Sequence, residues 1–234
     1  GLMLASVALP VSGVGTYPIL PVGQAANYVF VAGGGTLTVQ PAPLVVRIGS
    51  ATRAYGDPDP VFPVQFEGLR NGETSVPGVV PVSSAGPRSP VGRYVVLSEG
   101  TIGTPNYLPT FFAGQLTVTP RALTVRANDA SRTYGAENAA LTVAVSNAAA
   151  WDAAQAAVYW QASSSATVRA PVGSYPITLT TNPFGDRFDN LANYSVSLQP
   201  GTLTVQRAPL GVVVEPQSVL WGDGRAPFRY SFNG

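Results

Sequence analysis

The side chains best suited to chemistry in this chain are aspartates in turn-like segments. Two of them flank a proline directly after Tyr55-Gly56, and two others lie in the polar segment 182–190. Calcium takes carboxylate oxygens from acidic loops of this kind. The candidate calcium ligands are therefore Asp57, Asp59, Asp186 and Asp189. For the first pair we favour a structural alternative, an Asx turn in which Gly56 takes a positive φ.

The segment 182–190 is also a local elaboration of a repeated pattern. Tyr94 and Tyr107 are 13 positions apart, whereas the equivalent Tyr175 and Tyr194 are 19 positions apart. Added loop length on a fixed scaffold is where binding residues are commonly placed. The candidate ligand contacts are Phe184, Arg187, Phe188 and Asn190. We favour the alternative that this loop is an insertion packed by its own phenylalanines.

The composition removes most catalytic chemistry. All 13 basic residues are arginine, and the chain has no histidine and no cysteine. Serine and cysteine nucleophiles therefore lack their usual base, and zinc, copper or iron lack imidazole and thiolate ligands. Paired carboxylates, tyrosine or serine nucleophiles and calcium remain, but the 12 acidic residues are scattered along the chain. We predict that the protein is not an enzyme and that it needs no cofactor other than calcium, if any.

Charge and hydropathy exclude two further kinds of partner. The net charge of +1 rests on arginines that are spread singly, which is too little for the basic surface that nucleic acid requires. No apolar run reaches the roughly 20 residues of a membrane span. We predict neither a nucleic acid partner nor a membrane span in this segment.

The sequence repeats one set of short motifs in the same order. Gly35-Thr36-Leu37-Thr38-Val39 has counterparts at 114–118 and 201–205, which are spaced by 79 and then 87 residues. The pair Asn27-Tyr28 keeps the same two spacings. Repeats of this length are long enough to hold a core of their own, and a much longer parent protein is implied. The predicted organisation is the C-terminal part of a truncated module over 1–40, whole modules over 41–119 and 120–206, and the N-terminal part of another over 207–234.

Short segments in which apolar and polar residues alternate dominate the modules. Leu123-Thr124-Val125-Arg126 is one example, and glycine and proline bound such segments. This pattern is typical of strands with one face toward a core. We predict an all-β fold of tandem small antiparallel β-sandwich modules, Ig-like in outline.

Connectors such as Gln40-Pro41-Ala42-Pro43 are short and stiffened by proline, so we expect an extended rod. The alanine-rich stretch 148–160 keeps open an alternative of β-grasp-like modules with one short helix each.

The repeated tyrosines Tyr17, Tyr94 and Tyr175 have two interpretations. If exposed, they would form a platform for a glycan; if half-buried, they would pack on the core with each hydroxyl satisfied at the rim. Their position in predicted strands favours the second interpretation. The aromatic residues of the alanine-rich stretch could form a contact surface, but as the apolar face of a short helix they are expected to complete the core of that module. These residues are Trp151, Tyr159 and Trp160.

Taken in order, these motifs resemble the MBG domain of the YGX type. The residues that carry the resemblance are Leu123-Thr124-Val125-Arg126, Tyr134-Gly135, Val172-Gly173-Ser174-Tyr175, Asn193-Tyr194 and Gly201-Thr202-Leu203-Thr204-Val205. The copies depart from one another at Ala136, which stands where the first copy has Asp57, and at Trp221, which replaces the tyrosine. Domains of this family occur in tandem in very large bacterial surface and secreted proteins, including filamentous-haemagglutinin-like adhesins. The resemblance implies a structural or adhesive role and brings no known catalytic residues.

The expected function is a non-enzymatic stalk or spacer segment of a giant exported bacterial surface protein, an adhesin that lies outside the cell. Its partners would be the neighbouring repeat modules of the same chain. The alternative is that the modules themselves bind a host or matrix glycan or protein through surface loops. Strand addition between partial modules of separate chains is a further idea, but a cut through a longer array explains the same ends more simply.

Overall fold

A computed structural model of the chain describes residues 3–24, 26–29, 31, 33–183, 187–222, 224 and 227–233. The chain divides into two compact units, Gly1–Pro120 and Arg121–Gly234, and each is described by itself. Within the described residues, regular structure is almost entirely strand, with one short α-helix and one 3₁₀ helix. The prediction of all-β modules is confirmed.

The first unit begins with a three-stranded antiparallel sheet and continues with seven more strands. The sheet has the order β1–β2–β3 and consists of Met3–Ser6 (β1), Gly15–Val22 (β2) and Gly35–Val39 (β3). The strands that follow are Ala42–Ile48 (β4), Ala51–Ala54 (β5), Val64–Glu67 (β6), Pro81–Ser83 (β7), Gly92–Ser98 (β8), Tyr107–Phe112 (β9) and Gly114–Thr119 (β10). Only Gln40 and Pro41 separate β3 from β4.

The module 41–119 is built from two sheets. One has the order β5–β10–β8–β7 and the other has the order β6–β4–β9. In each sheet one pair is parallel, β5 with β10 and β4 with β9, and the remaining pairs are antiparallel. The predicted antiparallel sandwich is therefore wrong in this detail. The sheets are mixed because the first two strands of the module lie beside its last two and run in the same direction.

The second unit repeats this plan. Its regular elements are Arg121–Ala127 (β11), Ala130–Thr133 (β12), Val143–Ser146 (β13), the helix Ala153–Val158 (α1), Trp160–Ser164 (β14), Gly173–Thr181 (β15), a 3₁₀ helix over Asp189–Asn193, Tyr194–Gln199 (β16) and Gly201–Gln206 (β17). The sheets have the orders β12–β17–β15–β14 and β13–β11–β16. The pairs β12 with β17 and β11 with β16 are parallel, as in the first module. Strands β4 to β10 and β11 to β17 thus correspond one to one.

The incomplete segments keep the same pairings. A two-stranded antiparallel hairpin ends the second unit and consists of Gly211–Val214 (β18) and Tyr230–Asn233 (β19). It corresponds to β4 and β6, while β1, β2 and β3 correspond to β7, β8 and β10. Among the described residues, no sheet combines strands from two of the four predicted ranges.

Alternate residues of the strands build the core of each whole module. In β4, Leu44, Val46 and Ile48 are buried, and so are Leu116 and Val118 of β10. Their equivalents in the second module, among them Leu123, Val125, Leu203 and Val205, are also buried. Burying an aliphatic side chain of this size contributes about 1.5–3 kcal/mol. The period-two burial is what the alternating sequence predicts.

Among the described residues, helical structure is confined to the second module. The helix α1 is six residues long, shorter than the stretch 148–160, and Trp160 already belongs to strand β14. The equivalent part of module 41–119 is a turn, in which the Glu73 N–H donates to the Arg70 carbonyl. The β-grasp-like alternative of one helix in each module is therefore not supported. In the part of the chain that the structure describes, no helix has the length and apolar character needed to cross a membrane.

Candidate functional site

The Tyr-Gly motif forms the same tight turn in both whole modules. Gly56 has φ +84° and Gly135 has φ +85°, which is the left-handed region that glycine alone enters without strain. In the first module the Asp57 N–H donates to the Ala54 carbonyl, and in the second the Ala136 N–H donates to the Thr133 carbonyl. Because Ala136 makes the same bond as Asp57, the turn does not need the acid.

Beside the first turn, a buried arginine engages one of the candidate calcium ligands. The Arg53 side chain is 3% exposed, and its Nε donates to Asp59 Oδ1 at 2.6 Å. Its two terminal nitrogens donate to the carbonyls of Ala54 (3.4 Å) and Gly86 (2.8 Å). A buried guanidinium that loses its acceptors leaves costly unsatisfied donors. Asp59 is therefore committed to Arg53, and the cluster ties the turn to the loop before β8.

The second module has the same cluster with a neutral partner. Arg132 Nε donates to Asn138 Oδ1 at 2.6 Å, and its terminal nitrogens donate to the carbonyls of Thr133 and Thr167. Asn138 Nδ2 in turn donates to the Ala166 carbonyl at 2.8 Å. An acid at this position is thus replaceable by an amide. That exchange fits a structural role for Asp59 and argues against a metal ligand that both modules share.

Tyr107 belongs to the Asn-Tyr pair of module 41–119 and anchors the irregular middle of that module. Its hydroxyl accepts the Arg70 N–H at 2.9 Å and donates to Glu73 Oε2. The hydrogen bond to Glu73 raises the pKa of Tyr107 above the usual value for tyrosine, partly offset by the Arg70 N–H bond, which lowers it. This side chain therefore ties β9 to the turn over residues 70–73.

Tyr194 makes the equivalent pair of bonds in the second module. Its hydroxyl accepts the Ala149 N–H at 3.0 Å and donates to Asp152 Oδ2 at 2.7 Å. The carboxylate of Asp152, which is 1% exposed, also accepts from Asn190 Nδ2 at 2.7 Å. Position 149 follows position 70 by 79 residues, and Asp152 follows Glu73 by the same spacing. The anchor is therefore a feature of the repeat.

The three repeated tyrosines of the Gly-x-Tyr strands are half-buried. Each hydroxyl donates to the carbonyl four residues earlier, from Tyr17 to Gly13 (2.8 Å), from Tyr94 to Pro90 (2.7 Å) and from Tyr175 to Pro171 (2.7 Å). The structure thus satisfies their polar groups locally, as the second interpretation of the sequence predicts. These rings close the turn before each strand and do not form a separate platform.

The candidate loop 182–190 is only partly described, since Phe184 and Asp186 lie outside the described residues. Phe188 is 5% exposed and packs on Tyr194 and Tyr159, with ring centroids 5.4 and 5.9 Å away. Asn190 is held by Asp152. Burial leaves Phe188 little surface for a ligand, which agrees with a loop packed by its own phenylalanine. Among the described residues of this loop, the exposed ones are Pro183, Arg187 and Asp189.

The predicted metal ligands are not assembled by the part of the chain that the structure describes. No group of three histidine, cysteine, aspartate or glutamate side chains there could hold an ion. Asp189 begins the 3₁₀ helix, in the loop after β15, and Asp57 and Asp59 follow β5. Calcium binding by these residues stays a prediction. An open groove of about 690 Å³, lined by Tyr134, Val172 and Arg207 among others, also holds no paired carboxylates.

The sequence did not single out the arginine clusters or the acids that receive the tyrosine hydroxyls. A usable signal was present, because Arg53 and Arg132 are 79 residues apart, as are Glu73 and Asp152. A polar residue that returns at the module spacing, next to a motif already identified, indicates an internal partner.

These observations define a class of protein, a tandem array of small all-β modules whose polar side chains serve turns and anchors. The model of the family described as MBG domain (YGX type) matches residues 44–117 and 123–204, which lie within the two whole modules. The chain belongs to this MBG domain family. A search of curated proteins found no significant match.

Proposed function

We propose that the chain is a non-enzymatic, load-bearing spacer segment of a large bacterial surface protein, an adhesin located outside the cell. MBG domains occur in surface proteins, which supports this location. Several polar side chains that could do chemistry are engaged in anchors that recur in both whole modules, which supports a structural role. They are Arg53, Asp59, Tyr107 and Glu73 in the first whole module and Arg132, Asn138, Tyr194 and Asp152 in the second.

The observation that carries the proposal is the pairing of the first two strands of a module with its last two. Strand β5 is parallel to β10, and β4 is parallel to β9. Tension in an array pulls a module at the start of β4 and at the end of β10. The strands of each parallel pair are then drawn in opposite directions along their length.

A ladder of hydrogen bonds between two strands resists a force best when the force acts along the strands. The evenly spaced bonds of a parallel pair share such a load, whereas a hairpin pulled at its open end breaks one bond at a time. Both whole modules place two parallel pairs in this position. The fold therefore suits a segment that transmits force.

Single-molecule stretching of the 234-residue chain between its ends tests this function. We expect two discrete unfolding events, each releasing on the order of 250–300 Å of chain, because about 80 residues extend by roughly 3.3–3.6 Å each. The hairpin β18–β19 is the internal reference, since it has no parallel neighbour among the described residues. Modules that yield at the force of this hairpin would contradict a load-bearing role.

A second candidate function is ligand binding through the loop 182–190. It is favoured by the greater length of this loop and by the exposed side chains of Arg187 and Asp189. The probe is a panel of glycans and matrix proteins on which the whole chain is tested. This function would be supported if binding is lost when the loop is shortened to the length of its counterpart in module 41–119. If the whole chain binds no probe, the spacer role is the function that remains.

A further inference from the structure

One peptide unit in the first unit is held from two sides. Its carbonyl, that of Gly13, accepts from the Tyr17 hydroxyl at 2.8 Å, and its N–H, that of Val14, donates to Asn106 Oδ1 at 2.9 Å. Tyr17 belongs to the strand that follows this peptide, whereas Asn106 lies 92 residues later in the next module. The bond from Val14 to Asn106 thus connects the segment 3–40 to the module 41–119.

The Asn106 residue is fixed on its own module before it reaches across. Its carbonyl accepts the N–H of Ala42, the first residue of β4, at 2.9 Å, and its N–H donates to Thr104 Oγ1 at 3.3 Å. The side chain therefore projects from a backbone tied to the start of the module. A hydrogen bond made by a pre-positioned group loses less conformational entropy than one made by a mobile side chain.

The contact is close as well as polar. A Cβ on Gly13 would lie 3.1 Å from Asn106 Oδ1, which is tighter than ordinary van der Waals contact. A cleft of about 220 Å³ lies beside the contact, and its lining includes Ser12, Gln40 and Glu73. Glycine at position 13 allows the two surfaces to approach.

Both halves of this contact belong to the repeat. The bond from tyrosine to the carbonyl four residues earlier recurs at Tyr94 and Tyr175. The asparagine recurs as Asn27 and Asn193, at the spacings of the other motifs. A turn that offers one N–H and a hairpin that offers one amide oxygen are therefore repeated together along the sequence.

We propose that, in the first unit, the asparagine of the Asn-Tyr motif is the residue by which the module 41–119 docks onto the tyrosine-held turn of the segment before it. In the first unit, Asn106 is this residue, Val14 is its partner, and their bond fixes the joint between the segment 3–40 and the module 41–119. The inference rests on the proposed spacer function, because a spacer holds its length only if its joints resist bending. The partner recognised is thus a neighbouring MBG module.

The test measures the spread of distances across this joint in the 234-residue chain. Since the chain has no cysteine, the substitutions Thr36→Cys and Gln115→Cys give two unique positions for spin labels, both exposed and one on each side of the joint. Asn106→Leu keeps the size of the side chain and removes the acceptor. We expect it to broaden the distance distribution about twofold, while Asn106→Asp, which keeps an oxygen at this position, leaves the distribution narrow.

The matched control is Asn27→Leu, which changes the same motif position in the segment before the joint, and it is expected to leave the distribution unchanged. Amide exchange of residues 41–119 reports whether the module stays folded. Should Asn106→Leu unfold it, Gly13→Ala acts from the other side of the joint by placing a methyl against Oδ1, and broadening is again expected. A narrow distribution with Asn106→Leu or Gly13→Ala in a folded module would overturn the proposal, as would an Asn106→Asp distribution as broad as that of Asn106→Leu.

The two proposals fail separately. The label experiment applies no load, so a broad joint in the parent chain would overturn the docking role and leave the stretching result intact. Weak modules in the stretching experiment would contradict the spacer function even if the joint distribution were narrow.

Discussion

At the scale of single residues, several charged side chains of this protein form hydrogen bonds within their own module. The pairs Arg53 with Asp59 and Arg132 with Asn138 show one geometry with two chemistries, since an anion and an amide accept the same Nε–H bond at 2.6 Å. The geometry of the acceptor is thus common to both modules, while its charge is not. The residue-scale predictions concern this distinction and the tyrosine anchors.

The first prediction compares two substitutions of Asp59. Asp59→Asn keeps an acceptor for Arg53 and loses the charge, so we expect a loss of about 1 kcal/mol in the free energy of unfolding of module 41–119. Asp59→Ala leaves the buried Nε–H unsatisfied, and a loss of about 2–3 kcal/mol is expected. Urea unfolding followed by amide exchange of residues 41–119 measures both. Equal losses would mean that charge alone governs the cluster.

The second prediction concerns alkaline pH. Because the hydrogen bond to Glu73 raises the pKa of Tyr107, the folded module keeps this phenol protonated at pH values where the unfolded chain ionises it. The stabilisation is complete below the unfolded pKa, which is about 10, and is lost as pH rises through the raised folded pKa.

Tyr107→Phe isolates this contribution from the other tyrosines. We expect the difference in unfolding free energy between the parent chain and this variant to be constant near neutral pH and to shrink above about pH 10. Urea unfolding over a pH series measures it, with Tyr94→Phe as a control that leaves the Glu73 bond in place. A constant difference up to high pH would rule out the anchor as the source.

At the scale of elements, the corners where the chain changes sheet explain the glycine of the Gly-x-Leu-Thr-Val motif. A Cβ on Gly114 would lie 2.3 Å from the Gly49 carbonyl oxygen, and one on Gly201 would lie 2.6 Å from that of Ala127. In both modules the last strand therefore starts directly against the corner between the first two. The motif glycine is required for this close approach and not for a special φ.

A matched pair of substitutions tests this explanation. Gly114→Ala forces a methyl group against backbone that cannot move aside, so we expect the module to lose about 1–3 kcal/mol of stability. Gly35→Ala changes the same motif position, but its Cβ would meet Ile19 at an ordinary 3.6 Å, so little change is expected there. Amide exchange by mass spectrometry separates the two segments, and equal effects would contradict the corner as the cause.

Element type was predictable from the sequence, whereas strand direction was not. Alternation in segments such as 123–126 indicates a strand with one buried face, and this holds equally for parallel and antiparallel neighbours. The pairing of β4 with β9 joins residues more than 60 positions apart, and local patterns carry no information on it. The half-buried position of Tyr17, Tyr94 and Tyr175 was predicted from their place in strands, whereas the carbonyl that each hydroxyl contacts was not. The anchors to Glu73 and Asp152 were missed because their partners are distant.

At the scale of the whole molecule, the chain is a series of modules with their own cores. Its extended arrangement, expected from the short proline-bearing connectors, stays a prediction that small-angle scattering can test. Calcium is the second open point at this scale, because it was the one cofactor that the sequence suggested.

We expect the thermal unfolding midpoint to be the same in millimolar calcium and in chelator. Asp59 is held by Arg53, and the described residues contain no group of acids that could hold an ion, so the folded state gains little from calcium. Scanning calorimetry measures the midpoint, and magnesium serves as a control for ionic strength. A rise of several degrees with calcium would instead make Asp57, Asp186 and Asp189 ligands.

The parallel pairs also decide when a module can fold during synthesis. Strand β5 acquires its neighbour β10, and β4 its neighbour β9, only after the last residues of the module have been made. Contacts between such distant parts of the chain form slowly, and until then the early strands expose unpaired edges. A nascent array therefore folds in steps of one module, and each newly made module passes through a period in which its first strands are open to mispairing. Sequence differences between corresponding strands of successive modules, such as Thr124 in β11 where β4 has Val45, are expected to make an early strand pair less well with a strand of the wrong module.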